Sequence, residues 1–189
     1  AQDEVMGPVD DDLVVLLDDA GHPSGTAPGL TVHGHHTPLH LAFSCYLVNL
    51  QGQVLVTRRA LGKRTWPGVW TNACCGHPRP GEPMPDAVAR RVGQELGAQV
   101  TDINLLLTDF RSQAVDASGL RENEVCPVFG ARLEGTLDPD PGEVMEHRWV
   151  DPSALADVAA RAPWLLSPWS AIQIGYLDLS HLVAGNPAR

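Results

Sequence analysis

The segment Gly76–Gly97, GHPRPGEPMPDAVARRVGQELG, decides the fold of this chain. Its first half is rich in Gly and Pro, which predicts irregular backbone in a loop long enough to serve a function. Its second half predicts a helix, because apolar residues recur there at helical spacing: Ala87, Val88, Val92 and Leu96. Gly97 follows the last of them, where a helix is expected to stop. The segment therefore predicts a functional loop that leads into an amphipathic helix.

Fixed positions within this segment resemble a known motif. The frame G-x5-E-x7-R-E-U-x-E-E-x-G-U of the Nudix box, in which U is aliphatic, is matched at Gly76, Glu82, Arg90, Glu95 and Gly97. In that motif, helix carboxylates hold Mg²⁺ against a diphosphate, because a hard cation prefers oxygen ligands and neutralises phosphate charge. The resemblance implies a Nudix-type α/β/α sandwich with a mixed sheet.

Two positions depart from this frame. Arg91 and Gln94 stand where the motif has glutamates, so Glu95 is the only carboxylate left in that cluster of the motif. One carboxylate cannot assemble a multi-metal hydrolytic site. We therefore expect the Nudix fold without ordinary Nudix hydrolysis.

The rest of the chain predicts one α+β domain. Strand patterns flank the helix, and two helical patterns follow them, each opened by a Ser or Pro signal. We predict strands within 13–18, 39–49, 52–60, 103–114, 123–135 and 143–150, and helices within 152–163 and 167–185. The segment 20–29 is rich in turn residues and predicts no regular element. Residues 1–12 predict a flexible acidic tail, and residues 13–189 the folded domain.

Composition narrows the class of protein. The 189 residues carry a net charge of −10, which argues against a general nucleic-acid surface, so an anionic substrate would need a few local cations or a metal. Four cysteines are too few for a disulfide scaffold, and we expect reduced thiols in a cytoplasmic protein. No apolar run reaches the roughly 18 residues that a membrane span requires. The sequence leaves the oligomeric state open.

Histidines and a pair of glutamates suggest a metal site. The segment 33–41 contains several of the histidines, and another follows the cysteine pair: His33, His35, His36, His40 and His77. Glu122 and Glu124 are two positions apart, so a strand would place both carboxylates on one face. Three imidazoles with two carboxylates suit a six-coordinate site for Mn²⁺, Mg²⁺ or Zn²⁺. The alternative is a set of surface histidines beside a solvated acidic turn.

Several separated motifs together resemble the type I isopentenyl diphosphate isomerases of bacteria. They are LHLAFS (39–44), VTRRALGKRTWPGVWTNACCGHP (56–78), ENEVCPVF (122–129), EVM (143–145) and PWLLSPW (163–169). The resemblance covers roughly residues 13 to 175. It implies a Nudix-fold enzyme with a deep pocket for a small isoprenoid. Such an enzyme interconverts isopentenyl and dimethylallyl diphosphate by protonating an alkene and removing a proton elsewhere.

The resemblance implies roles for individual residues. The family's catalytic cysteine lies directly before Gly-His-Pro and so falls on Cys75, not on Cys74. Glu124 would be the second proton-handling group, and Trp169 would face the cationic carbon through cation–π attraction. The family's metal ligands fall on His33, His40, His77, Glu122 and Glu124.

The diphosphate would be held by a second set of residues. Arg59, Lys63 and Arg91 fall where the family binds the diphosphate. Glu95 would bind a second metal, a Mg²⁺ that bridges the protein and the diphosphate.

Two positions in the implied pocket depart from the family. Ser112 stands at the position of a tyrosine near the catalytic glutamate, and Gly29 at that of a lysine that contacts the diphosphate. A serine hydroxyl lacks the reach of a phenol and its pKa of about 10. Loss of the lysine removes one cation from the diphosphate site.

Three functions remain after this comparison. The motifs favour an isopentenyl diphosphate isomerase. Ser112 and Gly29 favour a cyclase that protonates a larger isoprenoid, whose cation closes a ring before a proton leaves. A Nudix-fold binding protein without activity is disfavoured, because Cys75, Glu124 and the full set of implied ligands are present.

Overall fold

The computed structural model describes residues 13–183. The predicted acidic tail, residues 1–12, lies outside the described residues. The strands are β1 (Leu13–Leu17), β2 (Pro23–Pro28), β3 (His40–Leu41), β4 (Phe43–Val48), β5 (Val54–Arg59), β6 (Trp70–Thr71), β7 (Cys74–Gly76), β8 (Gln99–Leu107), β9 (Arg111–Val115), β10 (Arg121–Val125), β11 (Val128–Glu134) and β12 (Val144–Val150). The helices are α1 (Gly29–Val32), α2 (Met84–Leu96), α3 (Pro152–Arg161), α4 (Pro168–Tyr176) and α5 (Leu179–Val183), with a 3-10 turn at Pro163–Leu165.

The strands form two sheets. One has the order β2-β1-β3-β10-β9, and the other has the order β12-β5-β4-β11-β8, with β6 paired to β5 and β7 to β4. Because β10 runs parallel to β3 and β11 runs parallel to β4, while other pairs are antiparallel, both sheets are mixed. The prediction of an α+β fold with mixed pairing is confirmed.

Strand β4 shows how the layers pack. Its residues Phe43, Cys45 and Leu47 are buried in a core shared with α2. Tyr46 and Val48, which point the opposite way, are buried in a second core with residues of α3 and α4. Helices therefore cover both faces of the larger sheet, as an α/β/α sandwich requires.

Helix α2 confirms the reading of the opening segment. Its buried face contains the predicted apolar residues together with Glu95. Gly97 ends the helix with a left-handed φ of 59°, and its N–H donates to Gly93 O at 3.1 Å. A side chain at this position would lie 2.4 Å from the Asp138 carbonyl oxygen, so glycine is required both by the backbone angle and by the close approach.

The predicted strand 39–49 contains β3 and β4, and two further predicted strands are each divided in the structure. The segment 103–114 belongs to β8 and β9, and the segment 123–135 belongs to β10 and β11. The second division falls at Cys126 and Pro127, where the chain leaves the five-stranded sheet and enters the seven-stranded one. Proline has no N–H to give to a ladder, so it suits the crossing point.

Other differences are smaller. The segment 20–29 was expected to be irregular, but β2 pairs with β1 along an exposed edge. The closing helix is interrupted after Tyr176, because the Asp178 carboxylate accepts the Ser180 N–H at 3.0 Å and begins α5. No helix within residues 13–183 is long and apolar enough to cross a membrane.

Candidate active site

One cavity collects most of the predicted site residues. Its volume is about 470 Å³, and it lies where the two sheets meet, beside the N-terminal half of the opening segment. The predicted residues that line it are His33, Arg59, Lys63, Cys75, His77, Arg91, Glu95, Glu122, Glu124 and Trp169. His40 is fully buried beneath this lining.

Four side chains converge at the floor of the cavity. The ligand atoms of His33, His40, His77 and Glu124 all lie within 4.8 Å of one another. Glu124 Oε1 is 3.8 Å from His33 Nε2 and 3.3 Å from the Nε2 atoms of His40 and His77. Glu122 lies beside this group, with its Oε2 2.8 Å from His33 Nε2. The five predicted ligands are therefore neighbours.

The fold explains how ligands distant in sequence meet. His40 on β3 is the direct partner of Glu124 on β10 in a parallel pair. Glu122 and Glu124 alternate with Asn123 and so share a face of β10. His33 follows α1, and His77 follows β7, which is paired with β4 next to β3.

The donor set fits a divalent cation. The Nε2 atoms of His33 and His40 and Oε2 of Glu122 are buried, yet none has a partner in hydrogen-bond geometry among the described residues. His40 Nδ1 lies 2.9 Å from the Pro38 carbonyl oxygen, which can only accept. In the neutral ring this bond places the proton on Nδ1 and leaves the Nε2 lone pair for a metal.

The pKa values of this group reflect opposite charges in a buried space. Burial lowers the pKa of His33, but its contacts with Glu122 and Glu124 outweigh burial and raise that pKa to about 9. Burial and the charge of Glu124 raise the pKa of Glu122 to about 7. Burial also opposes ionisation of Glu124, but its three histidine neighbours hold its pKa well below the usual range. A cation at this position would replace protons as the source of positive charge.

Cys75 and Cys74 have different surroundings. The Cys75 sulfur lines the cavity, 3.4 Å from the Ser44 hydroxyl oxygen. Burial raises the pKa of the Cys75 thiol to about 11, although hydrogen bonds with Ser44 and Asn72 lower it. Cys75 is therefore a protonated thiol at neutral pH. Cys74 is buried in the core shared with α2 and does not reach the cavity.

The basic residues of the cavity are already engaged with the protein. Lys63 pairs with Glu143, and Arg91 pairs with Glu95 and lies 3.8 Å from Glu143. Arg59 donates to the Thr65 carbonyl oxygen at 2.8 Å. All three cations nevertheless line the cavity, so they are available to an anionic group within it.

Arg90 forms hydrogen bonds with the loop that precedes α2. It binds Glu82 through two bonds of 2.8 Å and donates to the His77 carbonyl oxygen at 3.1 Å. Glu82 and Arg90, which both match the Nudix box, thus hold the loop that carries His77.

Ser112 lies apart from the lining described above. It is the direct partner of Glu124 in the β9–β10 pair, and it lines a second cavity of about 330 Å³. Trp169 lines both cavities. Gly29, at the start of α1, lines the first cavity.

Sequence reasoning missed Glu143 and a set of buried polar residues behind Cys75. Glu143 lies in the EVM motif, but no spacing or motif in the sequence predicts its ion pair with Lys63. Asn72, Ser44 and Gln173 are each at most 1% exposed and hydrogen-bonded to one another or to Cys75. Asn72 and Ser44 lie inside quoted motifs, but their partners come from distant elements.

Comparisons with known proteins agree with this geometry. The NUDIX domain family matches residues 38–169. A curated protein of Frankia alni named isopentenyl-diphosphate Delta-isomerase is 62% identical over 164 residues, covering 87% of this chain and 84% of that protein. A protein of the same name from Clavibacter michiganensis is 55% identical over 170 residues, covering 90% of this chain and 88% of its own.

Solved structures are similar in fold. DR0079 from Deinococcus radiodurans has a TM-score of 0.64 at 18% identity and covers 86% of this chain and 97% of its own. A MutT NUDIX hydrolase from Burkholderia pseudomallei has a TM-score of 0.56 at 22% identity, covering 74% and 98%. At these identities the similarity concerns the fold alone.

Proposed function

The chain belongs to the isopentenyl-diphosphate Delta-isomerase family of NUDIX-domain enzymes, and we propose that it interconverts isopentenyl diphosphate and dimethylallyl diphosphate. One observation carries the proposal: the Cys75 thiol, the Glu124 carboxylate and the Trp169 ring line the same cavity. These are the groups that alkene protonation and deprotonation require.

Cys75 and Glu124 offer one acid and one base. The thiol carries a proton at neutral pH, while the carboxylate is ionised. Addition of a proton to the terminal alkene carbon leaves a tertiary cation. Removal of a proton from the carbon nearer the diphosphate then gives the isomeric alkene. The reverse reaction exchanges the two roles, and each transfer is general acid–base catalysis.

Trp169 stabilises the intermediate cation. An indole face attracts a cation through its quadrupole, by about 2 kcal/mol or more when water is excluded. Trp169 is 7% exposed and packs edge-on against Trp66 at 5.3 Å between ring centroids. A buried, fixed ring of this kind also keeps water from the cation.

We assign a divalent ion, Mn²⁺, Mg²⁺ or Zn²⁺, to His33, His40, His77, Glu122 and Glu124. Such an ion, when bound, supplies fixed positive charge beside Glu124 and sets the proton affinity of that carboxylate. The buried Nε2 atoms of His33 and His40, which face these carboxylates without meeting hydrogen-bond geometry, support this assignment.

The diphosphate is assigned to the basic residues of the cavity. Arg59, Lys63 and Arg91 would bind its oxygens, and Glu95 would hold a Mg²⁺ that accompanies it. Arginine suits this role because its planar fork matches phosphate oxygens. A reducing compartment such as the cytoplasm suits the whole proposal, since Cys75 must remain a free thiol.

Incubation with isopentenyl diphosphate and Mg²⁺ tests the function. We expect dimethylallyl diphosphate to form. In D₂O, each turnover should incorporate one deuterium from solvent into the product. A metal-loaded, folded preparation that forms no dimethylallyl diphosphate contradicts the proposal.

A second candidate function is a cyclase acting on a larger isoprenoid. The second cavity favours it, because Ser112 and Trp169 border additional space beside Glu124. Incubation with diphosphates of ten to twenty carbons would then give a cyclic product that retains the diphosphate. A linear substrate recovered intact excludes this function, and binding without turnover in both assays favours a binding protein.

A further inference from the structure

Asn72 lies behind the wall of the cavity and is 1% exposed. Its Nδ2 donates to the carbonyl oxygens of Cys45 at 3.0 Å and Cys74 at 2.9 Å. Its Oδ1 accepts from the Thr71 hydroxyl at 2.9 Å and from the Trp169 indole N–H at 3.1 Å. Carbonyls can only accept and an indole N–H can only donate, so these partners determine the orientation of the carboxamide.

The same carboxamide reaches the catalytic thiol. The Cys75 sulfur lies 3.3 Å from Asn72 Nδ2 and 3.4 Å from Asn72 Oδ1. Cys75 belongs to β7 and Trp169 to α4, so the two groups come from distant parts of the chain. Within residues 13–183, Asn72 is the side chain that hydrogen-bonds both.

Other side chains contact only one of these two groups each. Ser44 contacts Cys75 from the other side and is itself held by a 2.9 Å bond from Gln173. Trp66 packs against the edge of Trp169. Because Gln173 lies on α4 with Trp169, the Ser44 route joins Cys75 to that helix through two side chains, whereas Asn72 contacts the sulfur and the indole directly.

We infer that Asn72 is a positioning residue that fixes the Cys75 thiol relative to the Trp169 ring. The inference rests on the proposed function, because proton transfer and cation stabilisation act on adjacent atoms of one small substrate. An error of about 1 Å in such an arrangement costs about 100-fold in rate. Asn72 is not among the residues that line the cavity.

The first test needs no turnover. In protein with ¹⁵N-labelled tryptophan, the indole N–H signal of Trp169 is identified by its loss in Trp169→Phe. We expect Asn72→Ala to move this signal upfield and to speed its exchange with D₂O. Thr71→Val is the control, because it removes another bond to the same oxygen together with the 2.8 Å bond from Thr71 to Ser167, and the signal should retain its slow exchange. An unchanged signal in Asn72→Ala overturns the inference.

The second test separates positioning from folding. We expect Asn72→Ala to lower kcat about 100-fold while KM stays within about threefold, since the diphosphate contacts are elsewhere. Thr71→Val should keep kcat within about threefold of wild type. If Asn72→Ala does not fold, Asn72→Ser, which retains a small polar group, takes its place in both tests.

The outcomes of this second test are distinct. A loss of kcat below about threefold in folded protein, or an equal loss in Thr71→Val, overturns the inference. Wild-type protein that does not isomerise isopentenyl diphosphate refutes the proposed function. In that case the indole N–H signal alone tests whether Asn72 holds Trp169.

Discussion

Two adjacent cysteines illustrate how side-chain alternation separates function from packing. Cys74 and Cys75 are neighbours on β7, so their side chains point to opposite faces of the sheet. The first enters the core shared with α2, and the second enters the cavity. Sequence motifs predicted that Cys75 and not Cys74 is the catalytic cysteine, and the pairing of β7 with β4 explains why Cys75 is the one that lines the cavity.

Replacement of these cysteines should have unequal effects. We expect Cys75→Ala to lower kcat by about 10²- to 10⁴-fold, because a proton-transfer group is lost. Cys74→Ala should keep most activity and should lower the free energy of unfolding by about 1 kcal/mol through lost packing. Steady-state kinetics and urea unfolding measure both effects. Comparable losses of kcat in two folded variants would refute the assignment to Cys75.

Metal content provides a second test at the scale of a residue. Purified without chelator, the protein should contain about one divalent ion at the histidine–glutamate group. His77→Ala should lose most of it, since three coordinating side chains remain near Glu124 and bind a cation more weakly. His35→Ala is the control, because His35 is exposed and contacts Gly119 instead. Elemental analysis decides, and equal metal in wild type and His77→Ala would remove His77 from the ligand set.

At the scale of elements, α2 was predictable because its signals are local. The apolar residues and the terminal glycine lie within about three turns of one another, and the helix ends directly before that glycine, as predicted. The division between β10 and β11 was not predictable, because it depends on contacts with strands distant in sequence. Each half reads as a strand, and only pairing with β3 and β4 places them in different sheets. Asn72 was missed for the same reason, since Cys45 and Trp169 are far from it in sequence.

Two glycines of this helix should respond in opposite directions to alanine. Gly97→Ala should lower the free energy of unfolding by at least about 1–2 kcal/mol, because a left-handed residue gains a side chain against Asp138. Gly93→Ala should raise the free energy of unfolding by about 0.5–1 kcal/mol, because Gly93 lies inside the helix. Its new Cβ would meet only the Ala98 carbonyl oxygen, at an ordinary distance of 3.9 Å. Urea unfolding compares the pair. A stabilised Gly97→Ala would contradict the assignment of this cap.

At the scale of the whole molecule, the two sheets each supply part of one site. The five-stranded sheet contributes His40, Glu122 and Glu124, and the seven-stranded sheet contributes Cys75 and Arg59. Motif order along the chain predicted that these residues belong together. It did not predict the separate cavity beside Ser112, because the space between β9 and α4 depends on packing.

Substitutions at Ser112, which lines the second cavity, and at Gly29, which lines the first, should report which substrate the protein accepts. For a C5 isomerase, Ser112→Tyr should raise kcat on isopentenyl diphosphate, and Gly29→Lys should lower KM by adding a phosphate contact. For a larger isoprenoid, tyrosine at position 112 would fill needed space and reduce turnover of that substrate. Both single variants and the double variant are assayed beside wild type. Efficient wild-type isomerisation that neither change improves would show that these positions do not mark an altered function.

The placement of β4 has a consequence for the time scale of motion. All six of its residues are buried, and β5, β7 and β11 pair along its edges, whereas β2 is an exposed edge strand. Amides in such a strand exchange only through global opening, while edge amides exchange through local fluctuations. We expect hydrogen–deuterium exchange to be slowest at Ser44 and its neighbours and fastest along β2. Cys75 is therefore attached to the most slowly opening part of the protein, and Gly29, which follows β2 and also lines the cavity, to a faster one.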